Sequence, residues 1–481
     1  MGGAGHLYIG AGTGGPLWAP PEQSVLVLGP PRSGKTSALV VPTVLSAEGA
    51  VVSTSTKPDV LATTWSNRQH HGPCLLFDPS GTVSVPRGVR PVRWSPVPAC
   101  AEWDDALLTA RALVGGSASM GHRGDGGGVD HWQERAEALL APLLHAAALD
   151  GTDLAGVLSW VDRRQPAPAL RVLDDAGSAV AGDLLAGIAA TDQREQSGIW
   201  STASGVLSAY RSHAALATTR QPDFDAASFC DERATLYICA TGRHQAQAAP
   251  LVVGLLTEIR AAAYARAAAY ARDGAYARDG ERGRQAPVPV VLALDEVANI
   301  APIPDLPAMV SEGGGQGVLT LACLQDLSQA RARWGERADG FLSLFGTTVI
   351  LPGIGDVRTL EALSCLAGEE EVATRSVTER GAGGAAAGRG TGVAAALGRR
   401  AMVAATGRYR WTAGTEPPSV TTSTRRQPRL PVDVVGRGER GMALVVDDRN
   451  CMGWARLTPW FAHEPWRSMA RDRSRQPDLG I

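Results

Sequence analysis

A short segment near the N-terminus has the residue types and spacing of a phosphate-binding loop. It fits the pattern G-x-x-x-x-G-K-[S/T] without departure. The loop residues are Gly29, Pro30, Pro31, Arg32, Ser33, Gly34, Lys35 and Thr36, with Ser37 next. An apolar run precedes them and a helical pattern follows, so backbone N–H groups and a helix N-terminus would face bound phosphates. We predict that residues 29–37 bind ATP, that Lys35 reaches the β- and γ-phosphates, and that Thr36 holds Mg²⁺.

Two acids follow a second apolar run, at residues 288–294. Asp295 at the end of the predicted strand would bind Mg²⁺, directly or through water. Glu296 would orient or deprotonate the attacking water, as a general base does. Acids at strand ends are common, but together with the phosphate-binding loop they predict a Walker B element.

Two further polar residues follow predicted strands. Gln325 would contact the γ-phosphate as a third catalytic group; the alternative is a surface glutamine. Lys57 would bind the nucleotide, since ligands bind at the carboxyl ends of parallel strands; the alternative is a solvated lysine in a turn. Lys35 and Lys57 are the two lysines among 46 basic residues, which favours specific roles for both, because arginine does not replace a compact ammonium in a tight site.

The composition narrows the class of protein. A formal charge of −2 excludes a wholly basic nucleic-acid coat, although a local basic channel remains open. Seven scattered cysteines without a C-x-x-C pair argue against a disulfide framework or a zinc site, and fit a reducing cytoplasm. We find no signal peptide and no apolar run that looks long enough to span a bilayer.

Short apolar runs separated by helix-length segments predict βαβ units and a parallel sheet. The predicted strands cover residues 24–28, 50–53, 74–77, 235–239, 288–294, 318–321, 347–351 and 443–446. Helices are predicted at 36–45, at 250–263 and at 131–149, the last capped by Asp130 and kinked at Pro142. The fold class is therefore α/β.

Changes in pattern predict the domain organisation. The nucleotide-binding domain would comprise 1–100, 233–368 and 430–462, with an inserted all-α domain at 101–232. Residues 369–429 would be a flexible Gly/Arg-rich insertion and 463–481 a tail that is polar and disordered after Pro465. Within 375–430, ten arginines against two glutamates leave a local charge of +8. We expect this segment to contact DNA or acidic partners, or to be a disordered linker.

The ordered set of motifs resembles the TraG/TraD type of conjugative coupling protein, the DNA-transfer ATPase of type IV secretion systems. VVSTSTKPDV (51–60) and LLFDPSG (75–81) are similar to segments of that family. LALDEVANI (292–300), SEGGGQGV (311–318) and LACLQDLSQ (321–329) match its Walker B region and glutamine motif. The resemblance covers roughly residues 20–370 and 430–462. It implies a RecA-like P-loop domain with an inserted helical domain.

The resemblance also implies partners. Members of the family are thought to form hexameric rings that pass DNA, single-stranded in conjugation, and to engage a relaxase or other secretion-system proteins. The family usually has an N-terminal transmembrane segment, which this chain lacks, so we expect membrane association through a partner or through a missing anchor. Two alternatives stay open: an FtsK/HerA-like pump for double-stranded DNA, and a nucleotide-gated platform that recruits relaxase or effector proteins.

Overall fold

The structure, a computed structural model, describes residues 5–118, 126–240, 245–276, 287–378 and 419–471. One large sheet has the strand order β2-β1-β14-β13-β10-β3-β9-β8-β4-β7-β5-β6, and β11 and β12 form a separate ribbon. The strands are β1 (Tyr8–Gly12), β2 (Gly15–Trp18), β3 (Val25–Leu28), β4 (Val51–Ser55), β5 (Cys74–Phe77), β6 (Val89–Pro91), β7 (Thr235–Cys239), β8 (Val290–Leu294), β9 (Val318–Leu324), β10 (Thr347–Ile350), β11 (Glu369–Thr378), β12 (Ser419–Pro428), β13 (Met442–Val446) and β14 (Met452–Arg456).

Helices cover both faces of the sheet and fill the chain between β6 and β7. They are α1 (Thr36–Ser46), α2 (Asp59–Arg68), α3 (Trp103–Ala118), α4 (Gly126–Asp150), α5 (Leu154–Asp162), α6 (Ala167–Asp175), α7 (Ala179–Ala189), α8 (Gln193–Val206), α9 (His213–Ala217), α10 (Ala226–Asp231), α11 (Gln245–Tyr276), α12 (Val297–Ile300), α13 (Leu306–Glu312), α14 (Leu327–Trp334), α15 (Phe341–Leu344), α16 (Val357–Ala367), α17 (Val432–Arg437) and α18 (Trp466–Arg471).

Eight neighbouring strands, from β10 to β6 in the sheet order, run parallel. Their residues are buried and mostly apolar, as expected for a sheet covered on both faces, except in the edge strand β6, where Arg90 and Pro91 are exposed. In register, Leu28 lies beside Leu324 and Leu294 lies beside Thr54. The carboxyl ends of the central strands therefore meet at one edge, and the predicted α/β class with a parallel-rich sheet is confirmed.

Four antiparallel strands extend the sheet beyond β10, and three of them were not predicted from the sequence. β1, β2 and β14 pair beyond β13, although their sequences are short and contain glycine. Helix α18 closes this side, where the Trp466 side chain is 2% exposed and its ring meets that of Tyr8 edge-to-face at 5.0 Å. The prediction of a disordered tail is wrong for residues 466–471, because burial of Trp466 orders them; residues 472–481 lie outside the described residues.

The described residues between β6 and β7 contain helices and no strand. Apolar side chains of α4, among them Leu139, Leu140, Leu143 and Leu144, are fully buried. The predicted cap at Asp130 is wrong, because α4 begins at Gly126 and Asp130 lies inside it. The boundaries of an inserted helical domain stay a prediction.

The ends of the predicted flexible insertion form a regular ribbon. β11 and β12 pair antiparallel from Glu369 beside Pro428 to Thr378 beside Ser419. Threonine and valine, which favour extended backbone, are frequent in both strands. Residues 369–378 and 419–428 are thus regular strands, while the flexibility predicted for this insertion stays a prediction and most of the +8 segment, residues 379–418, lies outside the described residues.

Helix α11 is longer than the sequence predicted, and the expectation that no apolar run is long enough to span a bilayer is wrong by length and composition. In the described part of the chain it alone is long and apolar enough, by length and composition, to cross a membrane. However, 61% of its apolar 18-residue stretch is buried inside the protein. The Trp94 indole N–H donates to the Glu258 carboxylate of α11 at 2.6 Å. Burial raises the pKa of that carboxyl, against the lowering effect of the indole hydrogen bond. These contacts are those of a core helix.

A buried arginine fixes the far end of the helix that follows the phosphate-binding loop. The fully buried Arg68 guanidinium donates to the carbonyl oxygens of Ala47 and Gly49, just beyond α1, and to the Thr235 hydroxyl. A cation at this position also complements the negative end of the α1 dipole. Arg68 thus ties the segment that follows α1 to strand β7 of the sheet.

Candidate active site

The phosphate-binding loop connects β3 to α1 in a conformation that its glycines permit. Gly34 has a φ of +98°, a backbone conformation that residues other than glycine rarely adopt. A Cβ added to Gly29 would lie 2.8 Å from the Ser33 hydroxyl and 3.0 Å from Leu351. The Gly29 N–H donates to the Leu324 carbonyl at 3.1 Å, which extends the β3–β9 pairing into the loop. The loop is therefore an extension of the sheet rather than an independent turn.

Lys35 is held inside this loop. Its ammonium donates to the carbonyl oxygens of Gly29 at 2.5 Å and Pro30 at 3.1 Å, and its side chain is 6% exposed. The loop's own backbone thus orients the ammonium towards the phosphate-binding side of the turn. A compact ammonium suits this enclosed position better than the larger planar fork of an arginine.

The two predicted metal ligands meet. The Thr36 hydroxyl donates to Oδ2 of Asp295 at 2.6 Å, although 258 residues separate them in the chain. The Thr54 hydroxyl donates to the Asp295 carbonyl oxygen at 3.0 Å and fixes the end of β8 beside β4. A hydroxyl and a carboxylate suit Mg²⁺, which takes few protein ligands and keeps several waters or phosphate oxygens. The residues present therefore fit this cation.

Burial dominates the electrostatics of Asp295. It raises the pKa of the carboxyl to about 6; the Thr36 hydrogen bond and Lys35 act in the opposite direction, and Glu296 and Asp59 add to the rise. A buried carboxylate surrounded by more acid than base gains from a divalent cation, which offsets the cost of its charge.

Glu296 lies beside Asp295 in an unusual backbone conformation. Its φ of +55° and ψ of +45° are left-handed, a region that costs energy for a residue with a side chain. The Asn299 amide donates to Oε2 of Glu296 at 3.1 Å and so orients the carboxylate. Glu296 also lines the cleft described below. Strain at a site-lining acid agrees with the role predicted for this residue.

A cleft of about 470 Å³ brings most of the predicted residues together. Its walls comprise loop and helix residues, the end of β4, the two acids and one C-terminal aromatic. They are Pro31, Arg32, Ser33, Gly34, Lys35, Thr36, Ser37, Val41, Ser55, Thr56, Lys57, Asp59, Thr63, Asp295, Glu296 and Trp460. Lys57 is exposed in this wall, and its backbone N–H donates to the Ser55 hydroxyl at 3.2 Å. Gly29 and Pro30 form the base of the loop instead, as acceptors for Lys35.

Gln325 lies next to the loop but outside the cleft wall. Register places it one residue beyond Leu324, which pairs with Leu28, and its own N–H donates to Oε1 of Gln329 at 2.9 Å. The catalytic role of Gln325 stays a prediction. Six residues of the cleft wall were not among the predicted site residues: Val41, Ser55, Thr56, Asp59, Thr63 and Trp460. Ser55, Thr56 and Asp59 flank Lys57 in the chain, whereas no local pattern marks Trp460.

Comparisons with known proteins agree with the motifs. The family described as "TraM recognition site of TraD and TraG" matches residues 289–406. The conjugal transfer protein TraG of Escherichia coli is 26% identical over 392 residues, which is 75% of this chain and 57% of the relative. The chain therefore spans little more than half the length of that protein. The resemblance to TraG/TraD-type proteins read from the motifs is confirmed.

Solved structures share the fold. The unbound bacterial conjugative coupling protein TrwBdeltaN70 matches with a TM-score of 0.64 at 16% identity, over 95% of this chain and 89% of that one. The plasmid coupling protein TrwB in complex with ADP and Mg²⁺ matches with a TM-score of 0.57 at 16% identity, over 91% and 86%. At this identity the likeness concerns the fold, and it agrees with the predicted RecA-like P-loop architecture.

Proposed function

We propose that this chain, which resembles TraG/TraD-type coupling proteins in sequence and fold, is an ATPase that drives DNA transfer in conjugation. The observation that carries the proposal is the 2.6 Å contact between Thr36 and Asp295. It joins the phosphate-binding loop to the Walker B acid at the carboxyl edge of a parallel sheet. The similar protein TrwB has been solved with ADP and Mg²⁺, which supports the same ligands here.

Each residue has a distinct task in this proposal. The loop N–H groups and Lys35 bind the phosphates and stabilise the charge that develops during transfer. Thr36 and Asp295 hold Mg²⁺, which would neutralise charge on the phosphate oxygens when bound. Glu296, oriented by Asn299, positions a water molecule for in-line attack and accepts its proton.

Partners follow from the resemblance rather than from the site. The family match at residues 289–406 is described as a TraM recognition site, which supports binding of a protein of the DNA-processing complex. We further propose a homo-hexameric ring with nucleotide between subunits, sequence-tolerant contacts to DNA phosphates, and a cytoplasmic location at the inner membrane face, reached through a partner. Phosphate contacts would make DNA binding strongly salt-dependent.

ATP turnover in the presence of DNA tests the proposal. We expect single-stranded DNA to stimulate turnover by the full chain, and Asp295→Asn to abolish the stimulated rate. Arg87, an exposed cation that does not line the cleft, gives a matched control in Arg87→Ala. Stronger stimulation by double-stranded DNA would favour the duplex pump. Tight ATP binding with negligible turnover under both conditions would contradict the motor and favour the recruitment platform.

A further inference from the structure

One aromatic side chain lies in the wall of the cleft, and the proposed chemistry leaves it without a role. Trp460 is half-buried and lines the same cleft as Lys35 and Lys57. Among the described residues of that wall it is the sole aromatic. The rest of the wall is dominated by hydroxyls, charged groups and glycine, so the indole ring is its largest flat apolar surface.

The chain after β14 holds Trp460 from both sides. Before it, the Leu457 N–H donates to the Gly441 carbonyl at 2.7 Å, which ties the segment to the β13 side of the sheet. Trp460 itself starts a short 3₁₀ helix, Trp460–Ala462, directly after Pro459. After it, α18 packs Trp466 into the apolar core cluster beside Tyr8 and Trp18. We call Pro459 to Arg471 the C-terminal strap.

The strap also meets the helices that flank the cleft. α18 packs against α1 and α2, the two helices that begin at the phosphate-binding loop and just after Lys57. Trp460 packs against the core cluster that contains Val41, itself a wall residue of the cleft. Packing against this cluster and the 3₁₀ helix therefore position Trp460 in the cleft wall.

We propose that Trp460 is the platform on which the base of the bound nucleotide stacks. This proposal rests on the proposed nucleotide function. It assigns a binding surface to the base, which the phosphate-binding residues do not contact. The loop, Thr36 and Asp295 take the phosphates and the cation, and an indole face is the surface that a flat, aromatic base recognises. Every base has such a face, so the contact strengthens nucleotide binding without selecting adenine over guanine.

A ligand that keeps the phosphates and lacks the base separates the two ends of the cleft. We would measure binding of ATP and of tripolyphosphate, each with Mg²⁺, to the full chain and its variants by calorimetry. Trp460→Ala should weaken ATP binding about tenfold, in the range of base–aromatic stacking, and change tripolyphosphate binding less than twofold. Trp460→Phe should restore most of the ATP affinity, because it keeps a ring, and GTP should follow ATP in every variant.

Trp454 provides the matched control. It is a tryptophan on β14, 45% exposed and outside the cleft wall, so Trp454→Ala should leave both affinities unchanged. Unchanged ATP affinity in Trp460→Ala, or an equal loss for both ligands, would overturn the platform while leaving the phosphate site intact. Failure of the unmodified chain to bind either ligand would instead overturn the proposed function, and the platform with it.

Discussion

Different interactions position the side chains at the two ends of the cleft. At the phosphate end, strand register and hydrogen bonds place Lys35, Thr36 and Asp295, and their polar atoms contact one another or the loop backbone within 2.5–3.1 Å. At the other end, the C-terminal strap is positioned by ring packing, with the Trp466 ring 5.0 Å from that of Tyr8 and 6.2 Å from that of Trp18.

This difference predicts how substitutions at each end affect function. Directional contacts at the phosphate end leave buried polar groups unpaired when one partner is removed, so single changes there should abolish function. Apolar packing of the strap is shared among several side chains, so a change there should loosen the strap and weaken ligand binding gradually. Variants of the two ends should therefore separate turnover from base-dependent affinity.

Lys35→Ala should have the largest effect. The buried ammonium is a preorganised positive charge that stabilises the negative charge developing on the phosphate oxygens during transfer. Without it, we expect ATP turnover to fall by about 10²–10³-fold or more. Turnover with saturating nucleotide measures this loss. Trp460→Ala, assayed the same way, should retain its maximal rate once ATP is raised; a comparable loss of maximal rate in both variants would contradict the division between the two ends.

Trp466→Ala should have the next largest effect, on stability. Truncating a buried tryptophan costs about 3–5 kcal/mol of unfolding free energy, which denaturant titration measures. Because Trp466 secures the strap, ATP affinity should also fall, while tripolyphosphate affinity should not. Phe461→Ala, at a side chain 53% exposed on the same strap, is the control and should change stability by less than about 1 kcal/mol. Equal weakening of both ligands in Trp466→Ala would show that the strap supports the phosphate end as well.

The same division explains what the sequence could predict. The loop, the acids after β8 and the lysine after β4 are local patterns, and each follows a buried run that reads as a strand by itself. Trp460 reaches the cleft only because β14 pairs with β13 and β1, and the pairing with β1 joins Ala11 to Arg456, more than 400 positions apart. Nothing in YIGAG or MGWAR alone marks a strand, and Trp466 looks like part of a polar tail until its burial is seen.

Acidification should weaken the metal-dependent part of nucleotide binding. Burial raises the pKa of Asp295 to about 6, and a protonated carboxyl does not bind Mg²⁺. We expect Mg²⁺-dependent ATP affinity to be constant above pH 7 and to fall about tenfold per pH unit below 6. The stability of the folded protein without the cation depends on pH in the opposite direction. Because the pKa of Asp295 is raised in the folded state, this group stabilises the fold below pH 4, and the contribution is lost as the pH rises through 6.

Asp295→Asn separates this carboxyl from the titration of ATP itself. The variant should bind ATP weakly at every pH and keep only the shallow pH dependence that the ligand's own phosphate contributes. Measuring the affinity of both proteins from pH 5 to 8, with and without Mg²⁺, gives the comparison. If the affinity of Asp295→Asn for ATP fell below pH 6 as steeply as that of the unmodified protein, the titrating group would not be Asp295.

Lys57→Ala should have the smallest effect of the series. Lys57 lines the cleft, is exposed, and has no ion pair among the described residues. An exposed ammonium contributes little through its charge alone, because solvent screens it, so we expect ATP affinity to fall about two- to fivefold. The loss should shrink as salt is raised, whereas the loss in Trp460→Ala, which comes from ring contact, should persist. Arg87→Ala removes an exposed charge outside the cleft and should leave ATP affinity unchanged. A salt-independent loss in Lys57→Ala would instead indicate a direct, desolvated contact of Lys57 with the nucleotide.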